Sequence, residues 1–208
     1  MSDDVKGLRE ARVAATEERI LTGARNLFVR KGYHATTLTE VADEAGVGHR
    51  TVYLRFGTKA ALLKRVTDIA VAGDAGPSDV AHRDWFHTAL SAPTLDERID
   101  ALTSGTTELM RRAGDLFEAV QQAQPAEPLL ADAFQAGREA TRHNLHTFID
   151  RAVTDGLVDR HAVDVAWLRE TVTLVCHADT YILLRRTTHW EIRDYHTWLT
   201  TTLHRLLP

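Results

Sequence analysis

A single cysteine, Cys176, stands in a chain of 208 residues, so no internal disulfide can form and no second thiol completes a zinc or redox pair. It is expected as a small core residue. No stretch approaches the 18 uninterrupted apolar residues of a membrane span, and the opening "MSDDVKGLREARVAATEERI" is charged where a secretory signal needs an apolar run. A cytoplasmic location and no membrane partner are expected. Prolines number only five, glycines fall between helical patterns, and strand-like alternation and fixed-period repeats are missing. The chain is therefore expected to be all-α. Lysine is scarce as well, with four (Lys6, Lys31, Lys59, Lys64) among 25 basic residues; we ascribe this arginine bias to a GC-rich coding sequence and not to function.

Catalytic signatures are also missing. Eleven histidines occur, yet no HExxH or CxxC accompanies them. Cys176 and His177 are adjacent and so point to different helix faces, which argues against a nucleophile and its base. No catalytic residue, metal ligand or cofactor is expected, and the chain reads as no enzyme. His143 and His146, at i and i+3, together with Asp150 form the one set a metal-sensing variant of the same fold would use.

What is present is a core and an uneven charge. A hydrophobic fraction of 44% with 26% charged residues places the chain with folded domains and away from disordered ones. The net charge of -4 looks unsuited to nucleic acid until it is divided. Residues 1–66 carry 12 Lys and Arg against 8 Asp and Glu, a balance of +4, and the remainder carries 13 against 21, a balance of -8. A basic binding module on an acidic body has this pattern.

The helical signals begin with a stretch from about Thr16 to Arg30 that sets Ile20, Ala24, Leu27 and Phe28 on one face and stops at "KGY". "TLTE", Thr37 to Glu40, is a capping box that opens a second helix from Leu38 to Ala45, with Leu38, Val41, Ala42 and Ala45 facing inward and Gly46 ending it. A third helix runs from Gly48 or His49 to Arg55, and a fourth from an N-cap at Thr58 to about Ala72. "GDAGPSDVAHRD" from Gly73 marks a loop or hinge. Further helical patterns cover about 95–112, 115–123, 127–154, 163–187 and 191–206, separated by Gly114, by "QPAEP", by "DGLVDRHA" and by "TTHW".

Two short helices joined by a tight glycine turn form a helix-turn-helix, whose second helix enters the major groove of DNA. With Val52 and Phe56 facing the core, His49, Arg50, Thr51 and Leu54 lie on the outer side. Arg50 suits a bidentate contact to guanine, Thr51 a thymine methyl or a phosphate, and His49 a base edge or phosphate. Tyr53 reaches a phosphate with its hydroxyl. Lys59 lies in a first helical turn, where the dipole disfavours a cation and a bound phosphate satisfies both. Thr37, at another helix N-terminus, offers a second anchor.

Residues about 16–65, with "GYHATTLTEVADEAGVGHRTVYLRFGTKAALL" at their centre, resemble the N-terminal DNA-binding domain of TetR-family transcriptional regulators. The stretch "VAWLRETVTLVCHADTYILLRRTTHWEIRDYHTWLTTTLHRLL" resembles the last helices of many members, whereas 66–160 resembles nothing assignable. The resemblance implies a homodimer, an N-terminal helix-turn-helix domain in residues 1–57, a connecting helix in 58–75, and an α-helical effector-binding and dimerisation domain in 76–208. It also implies double-stranded operator DNA as partner and repression relieved by a small-molecule effector. By position it makes Thr37, Gly48, His49, Arg50, Thr51, Tyr53 and Lys59 the DNA-contacting set. Two departures stand out: Gly48 replaces a frequent serine, which weakens the N-cap by about a few tenths of a kcal/mol, and Leu54 replaces a frequent aromatic.

For the C-terminal body, apolar stripes on the last two helical patterns suggest Val172, Val175, Ile182, Trp190, Trp198 and Leu199 as dimer-interface candidates, in a four-helix bundle implied by the resemblance. An effector pocket would be lined by Leu109, Leu116, Phe117, Val120, Phe134, Phe148, Trp167 and Tyr181, with Arg112, His143, Asn144 and His177 as polar contacts. Repressor or activator, and organic or metal effector, remain open at this stage.

Overall fold

The computed structural model describes residues 2–73 and 80–207. Its elements are α1 (Ser2–Lys31), α2 (Leu38–Ala45), α3 (His49–Phe56), α4 (Lys59–Ala72), a short 3-10 turn (Val80–His82), α5 (Asp84–Ser91), α6 (Leu95–Ala123), α7 (Pro128–Thr154), α8 (Val165–Cys176), α9 (Ala178–Thr188) and α10 (Ile192–Leu206). No strand occurs among the described residues. Of the loop expected from Gly73, residues 74–79 lie outside the described ones, and the boundary expected at 75 and 76 lies there too.

Four helix boundaries differ from the sequence reading, each for a local reason. α1 starts at Ser2 and not near Thr16; the Thr16 hydroxyl donates to the Arg12 carbonyl at 2.8 Å inside a run of Ala, Arg and Glu, all strong helix formers. α5 falls where no helix was expected, and its eight residues bury Phe86 and Ala89. α6 runs through Gly114 without a break: a Cβ there would lie 2.4 Å from Tyr181 Cε1, so this glycine serves close packing and not termination. The pattern at 163–187 is two helices, because His177 is extended (φ -75, ψ 146) and its ring accepts the Asp179 N–H to open α9.

The chain divides into two compact units. The first comprises Met1–Asp68 and Asp115–Ala133. In it Ile20, Ala24, Leu27 and Phe28 of α1 are buried with Val41, Ala42 and Ala45 of α2, Val52 of α3, and Leu62 and Leu63 of α4. The second comprises Ile69–Gly114 and Phe134–Pro208, with a core that includes Ile99, Leu102, Phe148, Ile149, Leu168 and Tyr195. Buried charge in this unit is paired: Arg98, 4% exposed, donates from Nε to the Ala92 carbonyl at 2.8 Å and from Nη2 to Asp155 Oδ2 at 2.6 Å. Arg112 Nε donates to the Ala70 carbonyl at 3.1 Å, closing the C-terminal end of α4.

Candidate nucleic-acid interface

α2 and α3 form the helix-turn-helix, and local chemistry sets both ends of the turn. The Thr37 hydroxyl accepts the Glu40 N–H at 3.2 Å, and Glu40 Oε2 accepts the Thr37 N–H at 2.9 Å. Lys31 lies 2.6 Å from Glu40 Oε1, and its hydrogen bond, followed by those from Thr37, holds the Glu40 carboxyl down to about 2. Gly46 turns the chain with φ 62 and ψ 42, its N–H reaching back to the Ala42 and Asp43 carbonyls. At Gly48 no side chain caps α3, so the first N–H groups of this helix are left without a side-chain acceptor.

On α3, Val52 is fully buried and Phe56 half-buried, which turns His49, Arg50, Tyr53 and Leu54 outward. Tyr53 is 64% exposed and Leu54 70%, and Thr51 is half-buried. The basic side chains differ in what already holds them. Arg55 Nη1 donates to Glu17 at 2.9 Å, and His49 Nε2 lies 3.1 Å from Asp43. Arg50 is exposed and has no ion-pair or hydrogen-bond partner among the described residues. A guanidinium on the outer face of the second helix, free of competing carboxylates, is what bidentate base recognition needs.

Two positions of the expected set are engaged within the first unit. The Thr37 hydroxyl donates to Glu40 Oε2 at 3.0 Å, so a carboxylate already occupies the end of α2 that was to anchor phosphate. Lys59 Nζ donates to the Tyr33 carbonyl at 2.8 Å and stands 4.1 Å from the centre of the Tyr33 ring. Burial lowers its pKa, against the pull of Glu127 and Glu40. The sequence reading passed over Tyr33, which is 3% exposed and donates its hydroxyl to Glu127 at 2.6 Å. Burial first, then Glu127, raises the Tyr33 pKa. The "GY" signal marked only a helix end, and nothing local announces a partner 94 positions away.

Several C-terminal candidates need correction. Val172, Ile182 and Leu199 are at most 2% exposed within their own chain and cannot also form a dimer surface; Val175, Trp190 and Trp198 are half-buried. The large apolar side chains left outside on α8 and α9 are Trp167 (56%), Leu174 (66%) and Leu183 (60%). Trp167 therefore does not line an interior pocket, and His143 is exposed as well. Arg112 is spent on α4, and His177 on the start of α9. Leu116, Phe117 and Val120 belong to the first unit, whereas Leu109, Phe134, Asn144, Phe148 and Tyr181 belong to the second. Among the metal-sensing set, Asp150 is bound to Arg169 and His146 lies 3.3 Å from Glu170. No group of three His, Cys, Asp or Glu among the described residues is arranged to hold a metal ion. The Cys176 thiol is buried, which pushes it up to about 12, as fits a core residue.

Comparison with known proteins bears on the same segment. Residues 20–66 match the sequence model of "Bacterial regulatory proteins, tetR family". The HTH-type transcriptional repressor BdcR of Escherichia coli (strain K12) is 35% identical over 68 residues, 32% of this chain and 34% of that protein. The HTH-type transcriptional activator FasR of Mycolicibacterium smegmatis is 39% identical over 59 residues, 26% of this chain and 27% of that one. The match to each of these two relatives thus spans only about a third of its length or less. Of solved structures, the transcriptional regulator FadR from Bacillus subtilis in complex with stearoyl-CoA shares the fold, with a TM-score of 0.69 over 92% of this chain and 97% of that chain at 17% identity. No helix among the described residues is long and apolar enough to cross a membrane. The segment that carries the helix-turn-helix is thus similar to the DNA-binding segment of the tetR family of bacterial regulatory proteins, and over the rest of the chain the likeness is one of fold.

Proposed function

We propose that this protein is a sequence-specific transcriptional regulator that binds a palindromic operator as a homodimer and is released from it by a small-molecule effector. The observation that carries the reading is Arg50, exposed and without a partner among the described residues, on a recognition helix whose N-terminus has no side-chain cap. His49, Thr51, Tyr53 and Gly48 surround it as further contacts to base edges and phosphates, and Thr37 and Lys59 supply phosphate contacts at the flanks. Lys59 keeps capacity for this, because its ammonium has three N–H groups and one of them is taken by Tyr33; Thr37 would exchange its hydroxyl bond to Glu40 for one to phosphate.

Dimerisation is supported by the exposed Trp167, Leu174 and Leu183 on α8 and α9. Trp167 and Leu174 are seven residues apart, which puts them on one helix face two turns apart, and large apolar side chains exposed together mark an interaction surface. An effector in the second unit is supported by Tyr195, 1% exposed, whose hydroxyl has no hydrogen-bond partner among the described residues. Buried polar groups are ordinarily satisfied, and a ligand acceptor would satisfy this one. Effector binding that favours a different spacing of the two recognition helices would lower operator affinity by population shift. The matched relatives include a repressor and an activator, and repression is the direction we propose.

The test is selection of bound fragments from a random duplex pool by the purified protein, followed by footprinting. A palindromic footprint protected by the wild-type protein, with base preference relaxed at one position per half-site in Arg50→Ala, supports the reading. Retention of full specificity in Arg50→Ala would remove α3 as the reading element.

A further inference from the structure

Lys59, a member of the proposed DNA-contacting set, has its ammonium held in place by a neutral residue. A single side chain and its own backbone do this, since the Tyr33 carbonyl takes one N–H at 2.8 Å and the Tyr33 ring lies under the ammonium at 4.1 Å. Without them a four-carbon stem leaves an ammonium free to sweep through solvent, and fixing it in advance removes that entropic cost from phosphate binding.

Tyr33 is itself fixed from a distant part of the chain. Its hydroxyl donates to Glu127 at 2.6 Å, its N–H donates to Gln122 Oε1 at 3.3 Å, and its ring stacks on Phe28 with centroids 6.1 Å apart. The next residue reaches the same place, with His34 Nε2 at 3.0 Å from the Gln122 carbonyl. Gln122 is in the last turn of α6 and Glu127 immediately precedes α7. All of these residues belong to the first unit. The phenol-to-carboxylate bond is of the short, charge-assisted kind that specifies a position strongly.

We propose that Tyr33 and Glu127 are positioning residues for DNA binding: the α6–α7 turn holds Tyr33, Tyr33 holds Lys59, and the phosphate contact of Lys59 depends on that chain. The inference rests on the DNA-binding reading above and adds to it where operator affinity is set. α6 continues from Gln122 back through residues 95–114, which belong to the second unit. A shift of its last turn would move the Tyr33 carbonyl and ring out from under the ammonium, and this requires no change at α3.

The experiment measures affinity for a duplex selected by the wild-type protein, between about 50 and 200 mM salt. The variants are Lys59→Ala, Tyr33→Phe, Glu127→Ala, Glu127→Gln and the pair Lys59→Ala/Glu127→Ala, each checked for folding by circular dichroism. Lys59→Ala is expected to lower the salt slope by about 0.9 per lost phosphate contact, hence about twice that for a dimer. Tyr33→Phe and Glu127→Ala should each weaken binding about tenfold and lower the slope in the same way. Glu127→Gln keeps an acceptor for the phenol and should bind nearly as the wild type does. In the Lys59→Ala background, Glu127→Ala should add nothing.

Removing a carboxylate by charge alone would tighten DNA binding, so a weaker complex separates positioning from electrostatics. Unchanged or tighter binding, an unchanged slope, or additive losses in the pair would overturn the proposal. A Lys59→Ala slope equal to the wild type would overturn it too, by removing the end of the chain. If Glu127→Ala fails to fold, Tyr33→Phe, which deletes one oxygen, decides by the same criteria. Failure of the wild-type protein to select any duplex would instead refute the DNA-binding reading, and this proposal with it.

Discussion

Gly114→Ala and Gly137→Ala make the same chemical change inside two helices of the second unit and are expected to move stability in opposite directions. In a helix interior alanine is favoured over glycine by about 1 kcal/mol, partly because the unfolded chain loses freedom. At Gly137 nothing lies within 4 Å of an added Cβ, so that gain stands alone. At Gly114 the added carbon would lie 2.4 Å from Tyr181 Cε1 and 3.3 Å from both Cδ1 and Cζ. The ring has little room to yield: Tyr181 is 5% exposed and packs edge-on against Tyr195 at 4.8 Å, and Tyr195 is 1% exposed. Overpacking of this kind costs about 1–3 kcal/mol, and the contact is too short for the lower end. After the helix gain is subtracted, Gly114→Ala should lose about 1–2 kcal/mol.

For a chain of this size 1 kcal/mol moves the midpoint by about 2–4 °C. Gly137→Ala should therefore melt about 2–4 °C above the wild type and Gly114→Ala about 2–8 °C below it. The assay is thermal unfolding by circular dichroism at matched protein concentration, because the midpoint of an oligomer depends on concentration. A Gly114→Ala protein as stable as the wild type would show that Tyr181 can move aside, and close approach would no longer explain the glycine.

The other expectations are briefer. Thr37→Ala removes the cap of α2 and should cost about 1 kcal/mol in urea unfolding at pH 7. The Glu40 carboxyl titrates at about 2 in the fold, below its unfolded value, so its contribution is present above about pH 4.5 and is lost as pH falls toward 2; Lys31→Met should flatten that pH dependence, and an unchanged profile would remove the Lys31 pairing as its cause. Asp155→Ala leaves Arg98 buried without its carboxylate, and Arg98 Nη1 already lacks a partner, so a loss of about 3 kcal/mol is expected, largely restored in Arg98→Met/Asp155→Ala. Trp167→Glu with Leu174→Glu should convert a dimer to a folded monomer in sedimentation equilibrium, and a persisting dimer would place the interface elsewhere. Arg50→Ala should weaken binding to the selected operator by about 1–3 kcal/mol, measured against a duplex changed at the contacted base.

The helix-turn-helix was legible because its determinants are close in sequence. "TLTE" closes a box over four residues, Gly46 supplies a left-handed turn, and Val52 with Phe56 decides which side of α3 faces in. The same signal recurs at "TLDE", where the Thr94 hydroxyl accepts the Glu97 N–H at 3.3 Å to open α6. Attention to it would have bounded α5, which was missed because eight residues show too little periodicity to separate from a loop. Gly114 and the 163–187 pattern misled for the opposite reason. A glycine reads as a stop and an uninterrupted helical pattern as one helix, yet a tyrosine 67 positions later and the backbone of His177 decide otherwise.

Composition, caps and periodicity by themselves determined an all-helical chain with a basic N-terminal binding module, since these depend on backbone geometry and charge over a few residues. Only the tertiary structure decided which face of α8, α9 and α10 is core. A stripe of Val, Ile and Leu reads alike whether its own chain or a partner covers it; the burial of Val172, Ile182 and Leu199 and the exposure of Trp167, Leu174 and Leu183 separate the two. The hold of Glu127 on Tyr33, and of Tyr33 on Lys59, was likewise beyond the sequence, because contacts between distant positions arise from how helices pack and leave no periodic trace.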